Sequence, residues 1–570
     1  MAHFHVKTKK GRPYLYVREI ARVDGKPKVV SQVYIGSPER VAELAKGPVD
    51  TTLKLRVEEF GALWLADQID RDINLARIVD EVVPPANRET GPSVGEYFLY
   101  CVWNRMSDST SKNKLALWYE RTAVQQIRPV DVRELTSQRY WDKWDRVSEE
   151  DIRKIARRFF ERVWERESPE ADCLLFDTTN YYTFMASNTD SELARRGKNK
   201  EGRHNLRQIG LGLLVSRGKR LPLYYCAYPG NLHDSKQFEA VMDEMFGVVC
   251  GLAKTKERLT VVFDKGMNAE DNISYIDEHS RIHFVTSYST YFARDLASTN
   301  LEHFEPADTE KNRRLKEDER LLVYRTKGEY WGKERAVVVT YHPASARKQA
   351  YTLDSKLETL SKELLSMRTK VRDKAPHWRD AEAIKERYVR LCERLHVSSD
   401  LYTLEFSTTA DDLSMSFRKD AASVERIRAL LGKSIIITDN IDWPTTGIVQ
   451  ASLDRWQVEN RFRLSKDDDL VAVRPIRHWT DSKIRCHLFS CVAAMTYLRR
   501  MELRLNAAGI MRTAEDVMED MSAFHSVLLM RNGGRKAERR LETPNKTQAE
   551  VLLAFGHVVD AGGVLRLKNP

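Results

Sequence analysis

The sequence predicts an α/β fold, and three observations predict it. Two apolar runs of strand length, CLLF at 173–176 and LTVVF at 259–263, each lead directly into an aspartate, Asp177 and Asp264. Helical periodicity fills the preceding region, with apolar residues recurring at helix spacing in FGALWLADQIDRDINLARIVDEVV, 60–83. Further strand-like runs, RQIGLGLLVS at 207–216 and LPLYYCAYPG at 221–230, follow the first aspartate as a three-strand meander. With 570 residues, 42% hydrophobic and 31% charged, the chain has material for several domains and is not of disordered composition.

Charge and cysteine usage narrow the function classes. The net charge of +10 favours a polyanionic partner. The 7 cysteines are odd in number, scattered and mostly set in apolar runs, as expected of reduced core residues in the cytoplasm. No C-x-x-C pair points to zinc. The stretch MAHFHVKTKKGRPY lacks the apolar core of a signal peptide, and no run approaches about 18 apolar residues. A chain that is neither secreted nor membrane-spanning is therefore expected.

A third carboxylate lies in IVQASLDRWQVENRFRLSKDDD, 448–469, read as one helix-like run around Glu459, which looks buried. At ~100° per residue, Ser452, Arg455, Glu459, Arg463 and Lys466 share a stripe, while Trp456, Val458 and Phe462 offer apolar surface. Taken alone, the stripe reads first as an exposed helix laced with i,i+4 ion pairs. An aspartate at the carboxyl end of a buried strand sits where α/β sheets bind ligands, although a turn or capping role explains one such residue as well. Two strand aspartates and a later helical glutamate are together the parts of a two-metal phosphoryl-transfer site, whose ions lie ~3.5–4 Å apart.

These residues resemble the DDE transposases of the insertion-sequence IS4 superfamily, most closely the IS1634 branch. Arg455, Glu459 and Lys466 match R-(3)-E-(6)-K of the family signature Y-(2)-R-(3)-E-(6)-K. Ser452 stands at the tyrosine position, a departure by which that contact is weakened or supplied by another residue, with Trp456 a candidate. The continuation DLVAVRPIRHWTDSKIRCHLFSCVAAMTYL, with a helix beginning near Ile484, also resembles the branch. The resemblance covers roughly 170–500 and implies an RNase H-like catalytic core. It implies Asp177, Asp264 and Glu459 as catalytic residues holding two Mg²⁺ ions, with Mn²⁺ able to substitute. It further implies cut-and-paste transposition through hydrolysis at element ends and strand transfer, with a hairpin intermediate. The partners are then double-stranded DNA, as terminal inverted repeats and target, and a second copy of the chain in a paired-end complex. Arg455, Lys466, Arg463, Trp456, Lys265, Arg196, Lys198, Arg474, Arg477 and His478 are the DNA-contact candidates. A nucleoid-associated protein of a bacterial or archaeal cytoplasm is expected. Two rival functions remain at this stage: a domesticated or inactive DNA-binding derivative, and an RNase H-like nuclease without strand transfer.

The remaining elements follow in order. Residues 1–50 read as a basic, aromatic β-hairpin turning at Asp24 and Gly25. Residues 51–170 read as helical, broken by Pro84 and Pro85, with a Ser-x-x-Asp capping box opening a helix at Ser148. By resemblance this region binds DNA ends and dimerises; packing on the core is the plainer role. The first half of the core spans 171–289 and contains the basic loop RRGKNKEGRHN, a DNA grip or a solvated tip, and Asp234 as a helix cap beside a structural His233. An inserted subdomain is expected at 290–432, with strand-like LLVYRTKG and RAVVVTY and a long charged helix of coiled-coil-like periodicity. The core returns at 433–505 with GKSIIITDN. The acidic run 467–469 is read as solvent-facing. Residues 506–570 are expected to be helical, with RNGGRKAERR, 531–540, as a flexible basic segment.

Overall fold

Local signals set the helix boundaries of the N-terminal half in the computed structural model. The structure describes every residue except 1, 10–11, 24–25, 39–40, 43–52, 88, 171, 187, 198–201, 203–204, 233–240, 243, 246, 250, 252–257, 410–411, 532–536 and 569–570. The expected turn at Asp24 and Gly25, the cap at Asp234, the role of His233 and the contact of Lys198 lie outside the described residues. The chain divides into two compact units, the first made of Met1–Ala171, Asp177–Thr255 and Gln457–Pro570, the second of Asp172–Phe176 and Lys256–Trp456.

In the first unit, helix Gly61–Ile73 ends at Asn74, whose left-handed φ of 58° asparagine tolerates. Helix Val94–Ser107 starts with a capping box between Ser93 and Glu96, and Glu149–Glu167 starts with the expected one between Ser148 and Asp151. Gly95 lies so close to the neighbouring helix Leu75–Asp80 that a Cβ would stand 2.0 Å from the Ala76 carbonyl oxygen. The long helix Asp481–Ala507, buried through most of its length, packs on these helices. Phe489 on it meets Phe98, Phe159 and Tyr225 at ring-centroid distances of 5.7, 5.6 and 6.2 Å.

The strands of this unit correct several of the expectations. The N-terminal hairpin is a three-stranded antiparallel sheet, Ala2–Lys9, Arg12–Val23 and Lys26–Gly36. Leu53–Glu59 is a strand rather than helix, because it pairs with His525–Arg531. That C-terminal strand also pairs with Ala537–Leu541, so the basic segment 531–540 is in part an ordered hairpin arm. The C-terminal region therefore mixes helices Ala514–Ser522 and Lys546–Ala554 with strands. The meander after Asp177 forms as expected, with Arg207–Ser216 beside the Asp177 strand and Pro222–Pro229 antiparallel to it.

Asp70, 2% exposed, accepts hydrogen bonds from the Tyr497 hydroxyl at 2.6 Å and the Leu75 amide at 2.9 Å. Burial raises its pKa above the ordinary 3.8, against the lowering effect of those two bonds. The folded state thus holds this proton more tightly than the unfolded chain. The contribution of Asp70 is most favourable below 3.8 and is lost as pH climbs towards the raised folded value. Urea unfolding of wild type and Asp70→Asn at a series of pH values should show the wild type losing stability relative to the variant over that window, with a constant difference above it.

In the second unit, Cys173, Leu174 and Leu175 pair in parallel with Thr260, Val261 and Val262. Leu259–Phe263 then pairs in parallel with Ile282–Tyr288, which is antiparallel to Lys433–Thr438. Lys433–Thr438 pairs in turn with Lys333–Tyr341, and that strand with Leu322–Tyr330. The expected insertion at 290–432 is thereby divided. Its strands LLVYRTKG and RAVVVTY extend the main sheet, because the continuous apolar runs 336–339 and 435–437 are buried side by side. Helices Pro343–Arg372 and Ala381–Leu395, strands Tyr402–Thr409 and Asp412–Lys419 and helix Ala421–Arg428 share a separate core. Leu353, Leu357, Leu360, Leu364, Met367 and Val371 supply one side of that core at alternating spacings of three and four. The coiled-coil-like periodicity is thus satisfied within the chain, against Ile384, Tyr388 and Leu391 of the second helix.

Candidate active site

Asp264 directly follows the fully buried strand Leu259–Phe263, with extended backbone before a turn of 3-10 helix, Lys265–Met267. Two side chains hold its Oδ1: the Ser287 hydroxyl donates at 3.0 Å and Arg455 Nη1 donates at 2.9 Å. Burial pushes this carboxyl up, but the Arg455 charge, the Lys265 amide and the Ser287 hydroxyl together hold it below its ordinary range. The group stays ionised at neutral pH, and the stability it contributes is lost only as pH falls through the lowered value. Ser287 is a site residue that sequence reasoning missed. The parallel register places Thr286 opposite Phe263, so the next residue on that strand falls beside Asp264. Ser287 also accepts the Lys265 amide at 3.2 Å, and Asn268 donates to the Ser287 carbonyl at 2.9 Å.

Asp177 differs from the expectation of a strand-end position. Its strand, Cys173–Thr183, continues well beyond it, because Tyr181 and Thr183 find partners in the first unit. The carboxylate is half-buried, and its Oδ1 accepts the Thr178 amide at 2.8 Å. Tyr181 is hydrogen-bonded to the Ser465 hydroxyl, and Thr183 donates to the Ile476 carbonyl at 2.8 Å. The strand that carries Asp177 is thereby fixed to the end of the Glu459 helix and to the segment beyond it. Lys466 Nζ stands 5.9 Å from the Tyr181 ring centroid.

The run 448–469 is two helices, Thr445–Leu453 and Trp456–Ser465, with a turn at Asp454 and Arg455. Ser452 and Arg455 therefore do not continue the stripe of Glu459. Glu459 is exposed, where the sequence suggested burial. The helix phase explains this. Gln457, Val458, Arg461, Phe462 and Ser465 form the buried face, with Gln457 Oε1 accepting the Gly218 amide at 3.1 Å, and Glu459 falls on the outer face with Arg463 and Trp456. Of the apolar trio, Val458 and Phe462 are buried while Trp456 is 45% exposed.

Among the basic candidates, Lys265, Arg196 and Arg477 are exposed and Arg474 is half-buried. Arg463 pairs with Glu515 at 3.8 Å. His478 is removed from the DNA-contact set. It is 8% exposed, packed 5.5 Å from Trp144 and 5.0 Å from His487. Burial, with the charges of Lys112, Arg105 and Lys483, holds it neutral, far below its ordinary pKa. In the acidic run, Asp468 and Asp469 are exposed, while Asp467 is half-buried and accepts the amides of Asp469 and Leu470 at 2.8 and 3.0 Å.

The three carboxylates offer hard oxygen donors, all at least partly open to solvent, of the kind that suits Mg²⁺ or Mn²⁺. Among the described residues no group of three or more His, Cys, Asp or Glu side chains is placed to hold a metal ion. Mg²⁺ ordinarily takes one or two carboxylates and completes its shell with water and substrate phosphate, so a ready-made protein cage is not required.

No curated protein matches the chain. Among solved structures the chain is similar to a piggyBac transposase in a synaptic complex with hairpin DNA, at 8% identity, 82% coverage of each chain and a TM-score of 0.35. The family model described as a transposase DDE domain matches residues 172–497, more than half of the chain and a span that includes Asp177, Asp264 and Glu459. The chain belongs to the DDE-domain transposase family.

Proposed function

We propose that this protein is a metal-dependent DNA transposase of the IS4 superfamily, closest to the IS1634 branch. Its core is RNase H-like, and it cuts at insertion-sequence ends and joins them to target DNA. The observation that carries the reading is the 2.9 Å bond from Arg455, the first matched residue of R-(3)-E-(6)-K, to Asp264. It makes Arg455 and Asp264 neighbours within the second unit, which supports a shared role for the two residues.

Asp177, Asp264 and Glu459 would hold two Mg²⁺ ions, which supply Lewis-acid stabilisation of the charged phosphoryl group. In the first step a water oxygen bonds to phosphorus at the element end while the bond to the 3′ oxygen breaks, and the leaving oxygen takes a proton as a 3′-hydroxyl. That hydroxyl then attacks a second phosphodiester, on the opposite strand to close a hairpin or on target DNA. Arg455 and Lys466 offset the charge that develops on the phosphoryl oxygens. Arg463, Trp456, Lys265, Arg196, Lys198, Arg474 and Arg477 position the backbone, and two copies of the chain hold paired ends.

Incubating the protein with a pre-cut terminal-repeat duplex and supercoiled plasmid tests this assignment. Covalent joining of the 3′ end to plasmid is expected; cutting without joining would reduce the activity to that of a nuclease. Lys466→Gln should weaken DNA binding about equally for all sequences and lower the slope of log affinity against log salt by about 1, measured by fluorescence anisotropy.

A further inference from the structure

Asp264, a metal ligand in the proposed reaction, and Arg455, a phosphate contact in it, are bonded to one another in this structure. Arg455 Nη1 lies 2.9 Å from Asp264 Oδ1, an oxygen that also accepts from Ser287 at 3.0 Å. The pair is not buried beyond reach, with the Arg455 side chain 20% exposed and that of Asp264 39% exposed. Arg455 is in the turn between two helices, Thr445–Leu453 and Trp456–Ser465, so its backbone is not locked within either. Ser287, by contrast, sits on a strand and holds the carboxylate in place whether or not the guanidinium is there.

We infer that Arg455 gates metal loading at Asp264: it covers the carboxylate in the DNA-free chain and leaves when a DNA phosphate competes for the guanidinium. This rests on the functional reading above and adds an order of events, DNA before metal. The physical basis is direct. A guanidinium on Oδ1 blocks one donor oxygen and places a positive charge beside an incoming divalent cation. A phosphate offers the same guanidinium a fork-shaped, charge-assisted partner. Once Arg455 turns to the phosphate, Oδ1 keeps the Ser287 bond and presents its charge to the cation. Metal is then held weakly until DNA is bound. By linkage the coupling is reciprocal, so metal must tighten DNA binding by the factor by which DNA tightens metal binding.

Mn²⁺ titration of the full-length, DNA-free protein, followed by the resonance signal of free Mn²⁺, tests the gate without any cleavage readout. Arg455→Gln should bind Mn²⁺ about tenfold tighter than wild type, since the competing charge is gone. Arg455→Lys, which keeps a charge there, should stay near wild type. The affinity of a short duplex lacking the terminal repeat should rise with Mn²⁺ in wild type and respond much less in Arg455→Gln. Equal Mn²⁺ affinity in wild type and Arg455→Gln would overturn the gate. Asp264→Asn separates this from failure of the functional reading. If that variant loses Mn²⁺ while Arg455→Gln gains nothing, only the gate falls; if it binds Mn²⁺ as wild type does, Asp264 is not a ligand and both fall.

Discussion

Phe489→Ala is expected to destabilise the first unit by about 3–5 kcal/mol, the usual cost of deleting a fully buried aromatic ring. The ring is fully buried in the N-terminal half of helix Asp481–Ala507. It meets rings from two other helices and one strand, Phe98, Phe159 and Tyr225. Its neighbours are held by their own elements and cannot all collapse into the space, so the cavity cost adds to the lost transfer energy. Urea unfolding followed by circular dichroism should show an early transition for this unit. A midpoint unchanged from wild type would mean that the aromatic cluster is not its nucleus.

Glu459→Gln is expected to lower the rate of DNA cleavage by about 10³-fold or more, corresponding to roughly 4 kcal/mol of lost transition-state stabilisation. The exchange keeps the size of the side chain and removes one negative charge. Because Glu459 is exposed and the buried face of its helix is formed by Gln457, Val458, Arg461 and Phe462, folding should be untouched. DNA affinity should be equal to or higher than that of wild type, since a charge repelling phosphate is gone. A variant that keeps its melting temperature and its DNA affinity but loses cleavage separates the chemistry of this carboxylate from any structural role.

Features specified by adjacent residues were legible in the sequence, and features that depend on distant partners were not. The capping box at Ser148, the strand leading to Asp264 and the meander after Asp177 rest on local pattern and formed as expected. Leu53–Glu59 was hidden because its partner strand, His525–Arg531, lies at the other end of the chain. For the same reason Lys333–Tyr341 read as part of an insertion, although it pairs with Lys433–Thr438 in the main sheet. At the site, R-(3)-E-(6)-K fixed the spacing of Arg455 and Glu459 but not that Arg455 falls in a turn before the Glu459 helix, since no proline or glycine marks it. His478 was expected near DNA by the family resemblance; only the packing of Trp144 and His487 shows it to be enclosed. Ser287 carries no motif and emerges only once two parallel strands are set in register.

The most direct measurement is Mg²⁺-dependent cleavage of a duplex carrying the element's own terminal repeat, with binding followed in parallel for wild type and Glu459→Gln. The account predicts that wild type cuts at the repeat boundary and leaves a 3′-hydroxyl, while the variant binds and does not cut. Cleavage by Glu459→Gln at the wild-type rate, or binding by wild type without cleavage under conditions that assemble paired ends, would contradict it.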